Sequence, residues 1–110
     1  MKKYVFVYYG GKDHKDMTEE QRKEVMGKWM AWFESMGDKV AEMGSPFADG
    51  GQSVTPSGVE AIPADMWPAK GYTVVSAADM NEATEMAKNC PMVVDGEENA
   101  TVRVYEAMDM

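Results

Sequence analysis

The one histidine of the chain, His14, sits in the run "KDHKD" with Asp13 beside it and Asp16 two residues on. An imidazole is the usual proton donor and acceptor near neutral pH, and a neighbouring carboxylate can orient it. His14 and Asp13 are therefore the candidate catalytic pair. The simpler account is a solvated histidine in a polar loop. A zinc site would want clustered His and Cys, and His14 and Cys90 stand far apart, so no metal is expected. Neither a G-x-x-x-x-G-K phosphate loop nor a G-x-S-x-G nucleophile elbow occurs. No cofactor is expected.

A second group could bind rather than react. In "KWMAWF", Trp29, Trp32 and Phe33 are spaced i, i+3, i+4 and leave one face of a helix. Each indole N–H wants a partner, so a tryptophan fits pure core less comfortably than a phenylalanine does. We expect Phe33 to be core, and Trp29 and Trp32 to be less buried, with an indole edge on a cleft or subunit boundary. Tyr8, Trp67, Arg103 and Asp95 join them as candidate ligand-binding residues for a small aromatic molecule. For Asp95, a turn-forming role beside Gly96 is the stronger account.

These side chains need elements to hold them. Tyr4 to Tyr9 are β-branched or aromatic throughout and read as a strand with neither face plainly wet. Thr18 followed by Gln21 is a capping box, opening an amphipathic helix from about 18 to at least 36. Its apolar stripe runs through Val25, Trp29, Phe33 and Met36 towards Val40. Residues 44–70 are rich in turn formers; "QSVT" and "VEAI" suit a short hairpin, and "PADMWPAKG" a loop. "GYTVVSA" is a second clear strand. Asp79 caps a second helix, which Pro91 stops, and "TVRVYE" is the final strand. The expected fold is α+β: a single ferredoxin-like βαββαβ domain, an antiparallel sheet with two helices on one face. The other face is then bare, with Tyr4, Phe6, Tyr8, Tyr72, Val74, Arg103 and Tyr105 one set of candidates for it. Such a face is too apolar for water, and a second subunit is the economical cover.

Composition sets the outer limits. The chain has 110 residues, enough for one domain, and a net charge of -8, which repels nucleic acid and anionic membranes alike. Its single cysteine allows no internal disulfide. "MKKYVFVYYGG" has too short an apolar run for a leader, and no stretch approaches a membrane span. A cytoplasmic location is expected.

Taken in order, "YVFVYYG", "KWMAWFESMGDKVAEMGSPF" and "GYTVVSAADMNEATEMAKNCP" resemble the YCII-related family along most of the chain. The resemblance implies a ferredoxin-like subunit in a dimeric α+β barrel. It also implies an activity mostly unassigned, with an aromatic dehydrochlorinase-type enzyme among its members and a His–Asp site proposed for some. Here Met92 and Lys28 stand where relatives carry His, and Tyr105 where Arg is usual. Two functions are expected to compete. One is an enzyme doing proton transfer, elimination or isomerisation on a small aromatic or enol-type substrate. The other is a non-catalytic small-molecule-binding or regulatory dimeric module.

Overall fold

A computed structural model describes residues 1–63 and 68–109. Strand β1 (Lys2–Tyr9) lies centrally in a four-stranded antiparallel sheet, between β5 (Gly71–Ala77) and β6 (Thr101–Ala107). The outer neighbour of β5 is β2 (Val40–Glu42), giving the order β2-β5-β1-β6. Helices α1 (Glu19–Met36) and α2 (Met80–Lys88) cover one face, followed by a one-turn helix α3 (Pro91–Val94). This is an α+β domain compatible with a ferredoxin-like fold.

Local chemistry accounts for the boundaries. The Thr18 hydroxyl accepts from the Gln21 N–H while the Gln21 side chain accepts from the Thr18 N–H, satisfying two otherwise orphaned donors. Gly37 caps the C-terminus of α1. Val40 therefore does not continue the helical stripe, as its spacing suggested; it starts β2. The Asp79 carboxylate accepts from the Glu82 N–H at the head of α2. Pro91 ends that helix's run but also begins α3, where its missing N–H costs nothing.

Burial along β1 alternates, and the side that is covered overturns one expectation. Tyr4, Phe6 and Tyr8 face the helices and are buried. They pack with Thr73, Val75 and Ala77 of β5, Trp32 and Met36 of α1, and Ala83 and Ala87 of α2. The open face instead carries Val5, Val7 and Tyr9, beside Tyr72 and Val74 on one flank and Arg103 and Tyr105 on the other. One residue of register exchanges the faces of a strand, and β1 is apolar on both.

Burial along α1 departs from the expectation at Trp32, which is more buried than Phe33. Trp32 is 5% exposed, whereas Phe33 and Trp29 are only half-buried. Trp32 stacks on Phe6 with centroids 6.1 Å apart. Its indole N–H donates to the Met86 carbonyl at 3.1 Å, so the polar atom is satisfied inside the core and ties α1 to α2.

The turn-rich region holds a hairpin, β3 (Gln52–Thr55) with β4 (Gly58–Ala61), at the expected place. It forms a separate two-stranded sheet rather than extending the main one. Its cross-strand pair Val54 and Val59 is 77% and 61% exposed.

Candidate functional site

Beside the N-terminal half of α1 the chain leaves a cleft of about 490 Å³, within the usual range for small-molecule sites. Val25, Met26, Trp29, Met30 and Phe33 form the helical wall. The floor is the end of β1 and the start of β5, with the side chains of Tyr8 and Thr73. Residues 10–15 and 43–49 form the rims, and Met92 and Glu97 close one end.

Each wall has a local cause. Gly10 and Gly44 have φ of +70° and +74°, and a Cβ at either would run into a backbone carbonyl, that of Asn99 or Tyr72 respectively. Only glycine lets the chain turn that tightly against its neighbour. Beyond Gly44 the segment continues the sheet edge irregularly: Tyr72 N–H donates to Ser45 O at 3.3 Å, and Phe47 N–H to Lys70 O at 2.8 Å. Phe47 then stacks on Tyr72, centroids 5.9 Å apart. Across the opening, Lys15 Nζ meets the Asp49 carboxylate at 2.7 Å, joining the two rims. That hydrogen bond and charge raise the Lys15 pKa and lower that of Asp49.

The lining is mainly apolar. Five methionines reach it: Met17, Met26, Met30, Met43 and Met92. Flexible thioethers suit a wall that adapts to its ligand. Trp29 meets Tyr8 edge-on with centroids 5.0 Å apart. The Tyr8 hydroxyl donates to Thr73 Oγ1 at 2.6 Å, and Thr73 Oγ1 donates to the Met43 carbonyl at 2.9 Å. Burial pushes the Tyr8 pKa well up, so its hydroxyl stays protonated and is no general base.

The candidate residues separate into two groups. Tyr8, Trp29, His14 and Asp13 all line the cleft. His14 is exposed at the rim, on a single 3-10 turn. The Asp13 carboxylate accepts from the Lys15 N–H at 3.0 Å and lies 4.0 Å from Lys15 Nζ. Among the described residues no hydrogen bond joins the His14 ring to Asp13 or Asp16, so the carboxylate serves the turn rather than the imidazole.

The remaining candidates are elsewhere. Trp32 packs beside Trp29, centroids 5.6 Å apart, but borders a separate groove of about 350 Å³ between α1 and α2. A Lys39–Glu82 ion pair at 2.9 Å bridges that groove, leaving little apolar surface for a ligand. Arg103 lies on the open sheet face, its guanidinium 4.5 Å from the Tyr9 ring centroid. Asp95 is held by Lys28 at 2.9 Å, outside the cleft, and this contact raises the Lys28 pKa. Trp67 lies outside the described residues.

Phe47, Thr73, Met43 and Glu97 belong to the cleft without having been singled out in the sequence. Glu97 accepts from the Lys12 N–H at 2.7 Å and so fixes one rim. Cys90 is fully buried, and burial pushes its thiol up to about 12, so it is no ready nucleophile. Among the described residues no group of three His, Cys, Asp or Glu could hold a metal ion. No helix among them is long and apolar enough to cross a membrane. The chain matches no family model, and no curated protein matches it.

Proposed function

We propose that this chain is a small-molecule-binding domain of the YCII-related type, acting as a homodimer, and that the cleft beside Trp29 takes a flat, largely apolar molecule. The observation that carries this reading is the lining: Trp29 and Phe33, with five methionines, around a floor bearing one hydroxyl relay. An aromatic ligand gains ring contacts there, and the thioethers adjust to its outline. The open sheet face supports the dimer. Val5, Val7, Tyr72, Val74 and Tyr105 form a patch that a second copy would bury, completing a two-sheet α+β barrel.

Catalysis is the second reading, and one observation favours it: His14, the single imidazole, stands at the cleft rim. In that role it would move a proton on a bound enol-type or aromatic substrate, without help from Asp13.

The test is a panel of small aromatic compounds screened by melting temperature, with tryptophan fluorescence reporting on Trp29. A ligand bound only by the folded state raises Tm. Trp29→Ala should abolish that rise. Binding that survives Trp29→Ala would place the ligand elsewhere. For a compound found to be turned over, His14→Gln separates the two readings: loss of turnover with binding kept assigns the proton transfer to His14.

A further inference from the structure

We propose that the cleft selects ligands that present a hydrogen-bond donor, an O–H or N–H, to the Tyr8 hydroxyl oxygen. This rests on the binding reading above and narrows its ligand class to phenols, arylamines and their like.

The argument is one of direction. A backbone carbonyl can only accept, so the Thr73 hydroxyl must spend its single proton on Met43 O, 2.9 Å away. Thr73 Oγ1 can then only accept, and the atom within reach is Tyr8 Oη at 2.6 Å. Tyr8 must therefore donate its own proton to Thr73. What remains on Tyr8 Oη is lone-pair capacity alone. Tyr8, Thr73 and Met43 all line the cleft.

The relay is locked by its surroundings. Thr73 is fully buried on β5, so no water competes for its oxygen. Met43 O is held in place where residues 43–49 bond along β5. Tyr8 keeps 6% of its surface, and the Trp29 ring stands edge-on against it. Burial also holds Tyr8 in its protonated form, so the direction does not reverse at ordinary pH. A ligand bearing a carbonyl or ether oxygen at that point would set two lone pairs against each other. A ligand with an O–H or N–H would complete the chain, and cooperative polarisation along it would strengthen the new bond.

Isothermal titration with near-isosteric probes tests this. 4-Ethylphenol and 4-ethylaniline carry donors; 1-ethyl-4-fluorobenzene has none; 4-methylbenzaldehyde is an acceptor only. The wild type should bind both donor probes about five- to tenfold more tightly than the fluoro compound, the usual worth of one hydrogen bond. The aldehyde should be weakest. Thr73→Val releases the Tyr8 proton, so the aldehyde should overtake the fluoro compound. Tyr8→Phe removes the oxygen, so the donor advantage should vanish. The second variant decides if Thr73→Val does not fold, with circular dichroism as the check. Equal binding of all four probes by the wild type would overturn the donor rule while leaving the cleft as a binding site. Absence of heat from every probe, with no change in Trp29 fluorescence, would overturn the cleft reading and the donor rule together.

Discussion

The two faces of the central sheet are built from alternate residues of the same strands, yet they end in different places. On one face Tyr4, Phe6 and Tyr8 are closed off by Trp32, Met36, Ala83 and Ala87. On the other, Val5, Val7 and Tyr9 lie beside Tyr72, Val74, Arg103 and Tyr105 of the flanking strands and stay half-buried. The side chains differ little in hydrophobicity. On the covered face the three aromatic rings of β1 pack against the small Ala83 and Ala87 of α2, and large against small interlocks well.

Substitutions can break or sharpen that contrast. The largest effect is expected at the covered face. Phe6→Ala should cost about 3–5 kcal/mol in denaturant unfolding, since the ring is fully buried and stacked on Trp32. Val7→Glu, one residue along on the open face, should leave the subunit folded but halve the mass seen by light scattering at micromolar concentration. A Val7→Glu protein that stays dimeric would remove the sheet face as the interface. A wild type that is already monomeric would remove the dimer.

A smaller effect tests what polar bonds add to the covered face. Trp32→Phe keeps most apolar contact but leaves the Met86 carbonyl without its indole donor. It should cost about 0.5–1.5 kcal/mol, the net worth of one hydrogen bond, because the Met86 carbonyl still accepts from the Asn89 N–H. Phe33→Ala should cost less than Phe6→Ala, because Phe33 is only half-buried, packed against the core on one side and open to the cleft on the other.

The smallest effect concerns the cleft rim. Asp49 has its pKa lowered by Lys15, so its contribution is present above the ordinary carboxylate range and fades as pH falls through the lowered value. Lys15 has its pKa raised, so its contribution is present below the ordinary lysine value and fades as pH rises through the raised one. The tie therefore holds across the neutral range. Asp49→Asn should leave Tm unchanged, while the Met17 amide, bonded to His14 O, exchanges faster at pH 7. Unchanged exchange would show that the rim stands without the ion pair.

The same contrast shows what a sequence can disclose. The period of β1 announces two apolar faces, but only the rest of the fold says which one the helices cover. The Thr18–Gln21 box is local chemistry and legible as such, whereas the stop at Gly37 is not, because the apolar spacing runs on to Val40. The order of burial among Trp29, Trp32 and Phe33 is not, because one helical stripe crosses the core, the cleft and the groove beside α2. Val40 to Glu42 is too short to show a period of its own and prolongs the helical spacing, so β2 is hidden. The hairpin is legible from its turn residues, but not its separation from the main sheet. One rim of the cleft depends on residues 43–49 folding back along β5, a long-range pairing with no local signature. Trp29 and Tyr8 line the cleft, whereas Trp32 borders the groove beside α2 and Arg103 lies on the open sheet face, placements that distant strands set.

The central position of β1 has a kinetic consequence. Its nearest pairing with β5 joins Tyr8 to Gly71, and with β6 joins Tyr9 to Thr101, so every ladder it makes spans more than 60 residues. Loop-closure entropy must be met before either ladder gives anything back. α1, with its own caps, can form early and fluctuate, while β1 waits for both neighbours. During synthesis its alternating aromatic and valine side chains stay unpaired until β5 emerges, and half-paired until β6 follows. Refolding should accordingly be slow for a chain of this size, and the unpaired β1 is the segment a chaperone would meet first.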